Sequence, residues 1–332
     1  MVSETLAHTG EDSVRPFQVE GLDVRGRAVT LGVSLDEILR KHDYPEPVAR
    51  ILGEAILLTA LFGASLKFDG RFIFQTSTDG PVSLILVDFR TPGDMRGYVR
   101  FDSEAVKDAL AHDADAPALL GKGHLALTID QGADMHRYQG IVALEGNTLE
   151  EAVHQYFLQS EQIPTRIRIA VAEILSRDET GETRAGWRGG GVMVQFLPDA
   201  PDRMKLRDLP GGDDPNAPDE SEAETVLQDD DESWMEARAI AETIEDHELT
   251  DPDIGPDRLL YRLFHERGVR VFDSRPVRHQ CQCSREKVSG IIGQFSTEDR
   301  TDMIQDGKIL VTCEFCNTIY GFEPAEFDVS DD

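Results

Sequence analysis

Short apolar runs at residues 14–19 and 24–31, broken by Gly21 and Gly26, predict two strands near the start of the chain. Ser34, with Glu37 three residues on, forms the capping-box signature of a short helix reaching residue 41. Pro45 and Pro47 then open a longer helix, in which Val48, Ile51, Leu52, Ala55, Ile56 and Phe62 recur at helical spacing. Thr59 is the one polar residue on that stripe. After Glu54 the helix is apolar nearly all round, so it is expected inside the domain.

A strand-rich section follows. Residues 71–77 and 82–89 flank Thr78-Asp79-Gly80-Pro81, a hairpin signal. Residues 97–101, 123–129 and 138–144 predict three more strands, with short helices at 103–110 and 117–120. Residues 149–159 read as a helix, 165–175 as a long strand and 192–197 as a final strand before Pro198. Strands and helices come in blocks, not in βαβ alternation, which places the domain in the α+β class with antiparallel-rich sheets. The run Gly189-Gly190-Gly191 has no Lys-Ser/Thr after it, so it is read as a bend and not as a phosphate loop.

The pattern ends abruptly at residue 199. Residues 199–232 hold thirteen acidic and three basic residues, four prolines and the pair Gly211-Gly212. So little apolar area cannot offset the entropy of ordering the segment, and a solvated spacer is expected. Residues 233–247 predict a helix with Trp234, Ala237, Ile240, Ala241 and Ile244 on one face and Glu236, Glu242, Glu245 and Asp246 opposite, marginal unless it docks. A second helix at 256–266 carries Leu259, Leu260, Leu263 and Phe264 on its apolar side, and 269–272 predicts a short strand. The expected organisation is a core domain at 1–198, an acidic, partly helical linker at 199–276, and a small cysteine module with its tail at 277–332.

Charge narrows the function. Lys and Arg total 33 against 63 for Asp and Glu, a formal net charge of −30. Such a surface repels phosphate backbones, so a nucleic-acid partner is not expected. The best candidate for a membrane span, residues 51–66, contains Glu54 and is shorter than the roughly 18 apolar residues a span requires, so no membrane role is expected. Residues 1–14 show no basic region followed by an apolar core, and a cytoplasmic location is expected.

All four cysteines lie in the last module, as Cys281-Gln282-Cys283, then 29 residues, then Cys313-Glu314-Phe315-Cys316. Two close pairs at that separation suit one tetrahedral Zn2+ with four thiolate ligands. A module of 47 residues (277–323) has few core candidates: Val288, Ile291, Ile292, Phe295, Met303, Ile304, Ile309, Val311, Ile319, Tyr320 and Phe322. It therefore needs the metal to fold. Arg278, Arg285 and Lys287 lie close enough in sequence to moderate the −2 charge of such a site, and His265 and His279 are secondary ligand candidates. Spacing alone leaves two readings open. In one, the site is permanently structural. In the other, oxidation within each close pair exchanges a long-range staple for two tiny loops, which releases the metal and unfolds the module.

Tyr44-Pro45, Leu52-Gly53-Glu54, Leu66-Lys67-Phe68-Asp69-Gly70, Gly80-Pro81, Met95-Arg96-Gly97 and Tyr138-Gln139-Gly140-Ile141-Val142 occur here in a characteristic order. So do Tyr156-Phe157-Leu158-Gln159-Ser160-Glu161-Gln162-Ile163-Pro164-Thr165, Leu263-Phe264-His265-Glu266 and Cys281-Gln282-Cys283-Ser284-Arg285-Glu286-Lys287-Val288. Together they resemble the 33 kDa chaperonin (heat-shock protein 33) family of redox-regulated holdases, over residues 14–323 apart from the acidic linker. Two features depart from the family: the linker is longer and more acidic, and His279 stands where an aromatic residue is common. The resemblance implies an ATP-independent, cytoplasmic chaperone, not an enzyme, that holds unfolding client proteins under oxidative and heat stress. It implies zinc on Cys281, Cys283, Cys313 and Cys316 in an inactive reduced form. It also implies activation through Cys281–Cys283 and Cys313–Cys316 disulfides, dimerisation, and transfer of clients to ATP-driven chaperones. The competing expectation is a zinc-dependent thiol oxidoreductase, which would need a low-pKa cysteine with a resolving partner. The part of the chain before the module offers no cysteine for that pairing.

Overall fold

The computed structural model describes residues 12–131, 137–177, 183–197 and 231–327. The expectations for the extreme N-terminus, for Pro198 and for nearly all of the acidic spacer fall outside these residues. Two six-stranded sheets and a three-stranded one make up the β structure among the described residues. The first sheet runs β10–β1–β2–β9–β8, built from β1 (Ser13–Val19), β2 (Val24–Leu31), β8 (Thr165–Arg177), β9 (Thr183–Phe196) and β10 (Val269–Val271), with β11 (Arg275–Pro276) also on β1. The second runs β12–β5–β4–β3–β6–β7: β3 (Arg71–Thr78), β4 (Val82–Arg90), β5 (Asp94–Phe101), β6 (Lys122–Asp130), β7 (Tyr138–Glu145) and β12 (Arg278–His279). Every pairing in the two sheets is antiparallel except β12 beside β5.

Helix α2 (Glu46–Gly63) packs against strands of both sheets, and fourteen of its eighteen residues are buried. Its apolar circumference therefore becomes the core that joins the sheets. Thr59 is fully buried and donates to the Ala55 carbonyl at 2.7 Å, which satisfies the only hydroxyl on the stripe. No helix among the described residues is long and apolar enough to cross a membrane. The short α1 (Val33–Leu39) differs from expectation at its cap. Asp12 supplies the carboxylate, accepting from the Gly32 and Ser34 amides at 2.6 and 2.7 Å and from the Ser34 hydroxyl at 2.7 Å. An acceptor twenty residues upstream thus replaces the local capping box.

Helices α3 (Ser103–Leu110), α4 (Ala116–Leu120) and α5 (Leu149–Tyr156) lie where predicted, the last running into a π turn at Phe157–Glu161. Strand β9 is much longer than predicted: it begins at Thr183, so Gly189, Gly190 and Gly191 lie in mid-strand and not at a bend. The reason is tertiary. A Cβ on Gly190 would run into the Leu249 carbonyl, so the glycine lets the next helices lie directly on the sheet.

Those helices are α6 (Glu232–Glu242), α7 (Asp246–Thr250) and α8 (Pro256–Phe264). Asp231 caps α6, accepting from the Ser233 and Trp234 amides at 2.8 and 3.4 Å. Trp234, Ala237, Ala241, Ile244, Leu249, Leu259, Leu260, Leu263 and Phe264 bury against β1, β2 and β9, forming a second core. The acidic face meets arginines: Glu236 pairs with Arg267 at 2.6 Å, Glu242 with Arg166 at 3.5 Å and Asp246 with Arg168 at 3.1 Å. The amphipathic face predicted to be marginal is thus docked through both its sides.

Replacing Gly190 by Val should overpack this contact by about 1–3 kcal/mol. The expected readout is faster amide exchange across 246–264 with α2 unchanged. A second test concerns Glu54. Its burial and the nearby Glu150 outweigh Arg50 and push the carboxyl from 4.5 up to about 7, with Asp246 also raising it. The folded chain holds this proton more tightly than the unfolded one. Its contribution is therefore full below the ordinary carboxyl value and is lost as pH rises towards 7. Glu54→Gln should flatten the pH dependence of the urea midpoint and raise stability at pH 8 by on the order of 1–3 kcal/mol.

Candidate metal and redox centre

The last strands and helices of the chain bring the four cysteines together from two turns. The first pair follows β12, where Val277 is buried in the main core and the Gln280 amide donates to the Met95 carbonyl at 2.8 Å. Cys281-Gln282-Cys283 leads straight into α9 (Arg285–Ile292), whose cap, Ser284, accepts from the Lys287 amide. After α10 (Thr297–Asp302), β13 (Ile304–Gln305) pairs with β14 (Lys308–Thr312), and β14 with β15 (Ile319–Phe322). Cys313 and Cys316 occupy the β14–β15 turn. There the Cys313 amide donates to the Thr318 carbonyl at 2.9 Å and the Asn317 amide to the Cys313 carbonyl at 2.8 Å. Asn317 takes the left-handed conformation that closes this turn, with φ of 56°.

The sulfur atoms converge. One Sγ from each of Cys281, Cys283, Cys313 and Cys316 lies within 4.8 Å of all the others, and all four are thiols. Cys281 and Cys283 are 3.4 Å apart, Cys281 and Cys313 3.7 Å, and Cys283 and Cys316 3.3 Å. Four thiolates about 2.3 Å from a tetrahedral Zn2+ lie roughly 3.8 Å from one another, so this donor set and spacing fit a zinc ion.

The surroundings distinguish the four thiols. Burial pushes Cys283 up to about 12 despite a hydrogen bond from the Tyr320 hydroxyl at 3.1 Å. Burial also raises Cys313. At Cys316 the same burial is outweighed by hydrogen bonding to the Thr318 side chain and backbone, which brings the thiol down to about 7. Sequence reasoning assigned neither Thr318 nor Tyr320 to the sulfurs. Their only signal is position, since both follow the second pair by a few residues on one hairpin.

The three cations expected around the sulfurs are committed elsewhere. Arg278 pairs with Asp94 at 2.6 Å, and Lys287 Nζ donates to the Gln282 carbonyl at 2.7 Å. Arg285 pairs with Glu326 at 2.8 Å and lies over the Phe322 ring at 4.2 Å. Lys287 and Arg285 stitch the frame of the module together, and Arg278 ties it to β5. His279 faces Glu37 at 3.5 Å and His265 bonds the Tyr261 carbonyl; neither belongs to the cluster.

Apolar support is thin. Of the eleven predicted core residues, only Ile292, Ile309 and Phe322 are buried, with Val288, Met303, Val311 and Tyr320 partly covered. Ile291, Phe295, Ile304 and Ile319 are exposed, Ile319 to 65%. Three buried side chains cannot offset the ordering entropy of so long a segment. Removing one sulfur should therefore unfold the module selectively. Cys283→Ser is expected to abolish slow amide exchange across 285–322 while leaving that of α2 intact, as read by exchange mass spectrometry.

A sequence model described as Hsp33 protein matches residues 12–323. A 33 kDa chaperonin of Caulobacter vibrioides is 44% identical over 318 residues, covering 95% of both chains. One of Ectopseudomonas mendocina is 34% identical over 317 residues, covering 95% of this chain and 93% of its own. The crystal structure of the 33 kDa chaperonin of Thermotoga maritima superposes with a TM-score of 0.71 at 20% identity, covering 96% of this chain and 97% of that one.

Proposed function

The chain belongs to the Hsp33 family, a family of chaperonins and not of enzymes, and we propose a redox-switched form of that chaperone role. Its clients are unfolded proteins. The observation that carries the switch is the convergence of four thiols within 4.8 Å in a module with three buried apolar side chains. The module's fold depends on those sulfurs, and sulfur is the atom an oxidant attacks.

In the reduced form Cys281, Cys283, Cys313 and Cys316 would hold one Zn2+, which would offset half the charge of the four thiolates and tie the two turns together. Oxidation by hydrogen peroxide proceeds on the cysteines. One sulfur of a close pair attacks the peroxide, the O–O bond breaks with loss of one water, and a sulfenic acid remains. The neighbouring thiol of the same pair then displaces a second water as the S–S bond forms. Two peroxides thus yield Cys281–Cys283 and Cys313–Cys316, take up four electrons, and leave the ion without ligands. Cys316, whose thiol is brought down to about 7 by hydrogen bonding to Thr318, is suited to begin.

The organisation then reads as core domain (1–198), linker (199–276) and switch (277–332). Loss of the switch releases the linker helices and uncovers the apolar surface they share with β1, β2 and β9. That surface holds clients without ATP. The active form dimerises in the cytoplasm and passes its clients to ATP-driven chaperones. The net charge of −30 keeps the sticky form in solution.

Peroxide at raised temperature should release one zinc per chain, followed with a chromogenic chelator; retained zinc sinks the switch. With a thermally aggregating client, the oxidised protein should suppress light scattering and the reduced one should not. Equal suppression by both forms would mark a constitutive binder.

A further inference from the structure

The turn that carries Cys313 and Cys316 does a second thing besides presenting sulfur. Its two middle residues reach out of the module onto the outer face of β5. The Phe315 ring stands edge-on to Tyr98 with centroids 5.0 Å apart, and the Arg96 guanidinium lies 4.0 Å from its centroid. The Glu314 carboxylate lies beside the Tyr98 hydroxyl, and the Glu314 backbone faces the His42 ring.

The receiving site is built and rigid. Arg96 is fixed by two hydrogen bonds to Asp88 on β4, at 2.9 and 3.0 Å. Asp88 is only 4% exposed and also holds Arg71 on β3, at 2.6 and 3.1 Å. Three strands thus present one guanidinium face to one phenyl ring. Along β5, Asp94, Arg96 and Tyr98 share a face by strand alternation: the first holds Arg278, the other two hold Phe315.

We propose that Glu314 and Phe315 form a plug that seats the cysteine module on β5, and that oxidation of the two flanking cysteines pulls it out. This rests on the redox reading above and adds where the signal leaves the module. Cys313 Sγ faces Cys281 and Cys316 Sγ faces Cys283. When the pair gives two electrons and two protons to a hydroperoxide, which leaves as two waters or as water and an alcohol, both sulfurs must turn towards each other to form a bond of about 2 Å. The only residues between them are the two of the plug, so the ring closure is absorbed by the backbone that positions Phe315. Undocking then precedes and does not require complete unfolding of the module. The cysteine pair reports to the sheet through its own loop.

The test uses the full-length, reduced, zinc-loaded chain with no oxidant. Phe315→Ala should keep its zinc, while amide exchange at 278–280, the strand that joins the module to β5, accelerates by about tenfold or more. Arg96→Gln, which leaves the cysteine turn untouched and can still bond Asp88, should do the same. The double variant should be no worse than either alone. Unchanged exchange at 278–280 in zinc-loaded Phe315→Ala overturns the proposal. If Phe315→Ala loses zinc, Arg96→Gln decides: faster exchange with zinc retained supports the plug, and unchanged exchange overturns it. Because no oxidation is involved, a chain that never released zinc under peroxide would still pass or fail here independently.

Discussion

Sulfur convergence is the constraint on which the C-terminal module depends. Cys281 and Cys283 leave a strand edge and enter a helix, while Cys313 and Cys316 cap a hairpin, and nothing else joins these two pieces strongly. Among the described residues, Ile292, Ile309 and Phe322 make the only buried apolar cluster there, and Arg285 reaches across to Glu326 and Phe322 as a strut. In a larger domain hundreds of dispersion contacts share the task of holding distant segments together, so losing one is tolerable. Here one cluster of four sulfurs takes nearly all of it.

That dependence reaches inward through geometry. Val277 is buried in the main core and its amide donates to the Asp12 carbonyl at 2.9 Å, while the Asp12 carboxylate caps α1. Strands β10 and β11 lie on β1, so the chain leaving the linker helices is woven into the first sheet before it reaches the second. The linker helices are held between two tethers: the sheet beneath them and the module after them. Their acidic face is balanced by Arg166, Arg168 and Arg267 and not by solvent alone, which makes the docked state both apolar and electrostatic.

Much of this was legible in the sequence, for identifiable reasons. Strands 24–31 and 71–77, helix 103–110 and the buried helix after Pro45 rest on local patterning and turn chemistry, and such signals survive folding. The cysteine cluster was legible because metal geometry restricts ligand spacing. What escaped depends on partners distant in sequence. Gly189-Gly190-Gly191 reads as a break locally but is strand because α7 needs the space. Asp12 took the cap from Ser34 because tertiary folding brought a carboxylate to the helix start. Arg285 and Arg278 pointed to sulfur by proximity along the chain, yet found Glu326 and Asp94. The apolar module residues were overassigned because a hairpin with one covered face leaves Ile319 outside.

The contact at Gly190 has one further consequence. Ordinary helix–sheet packing relies on side chains that interlock, and interlocking is selective, since each knob excludes partners of the wrong shape. At Gly190 a strand offers bare backbone to the Leu249 carbonyl of α7, and at that one point there is no knob to match. The closeness of α7 to the sheet at this point is therefore set by the missing Cβ of residue 190 and not by a fit between side chains.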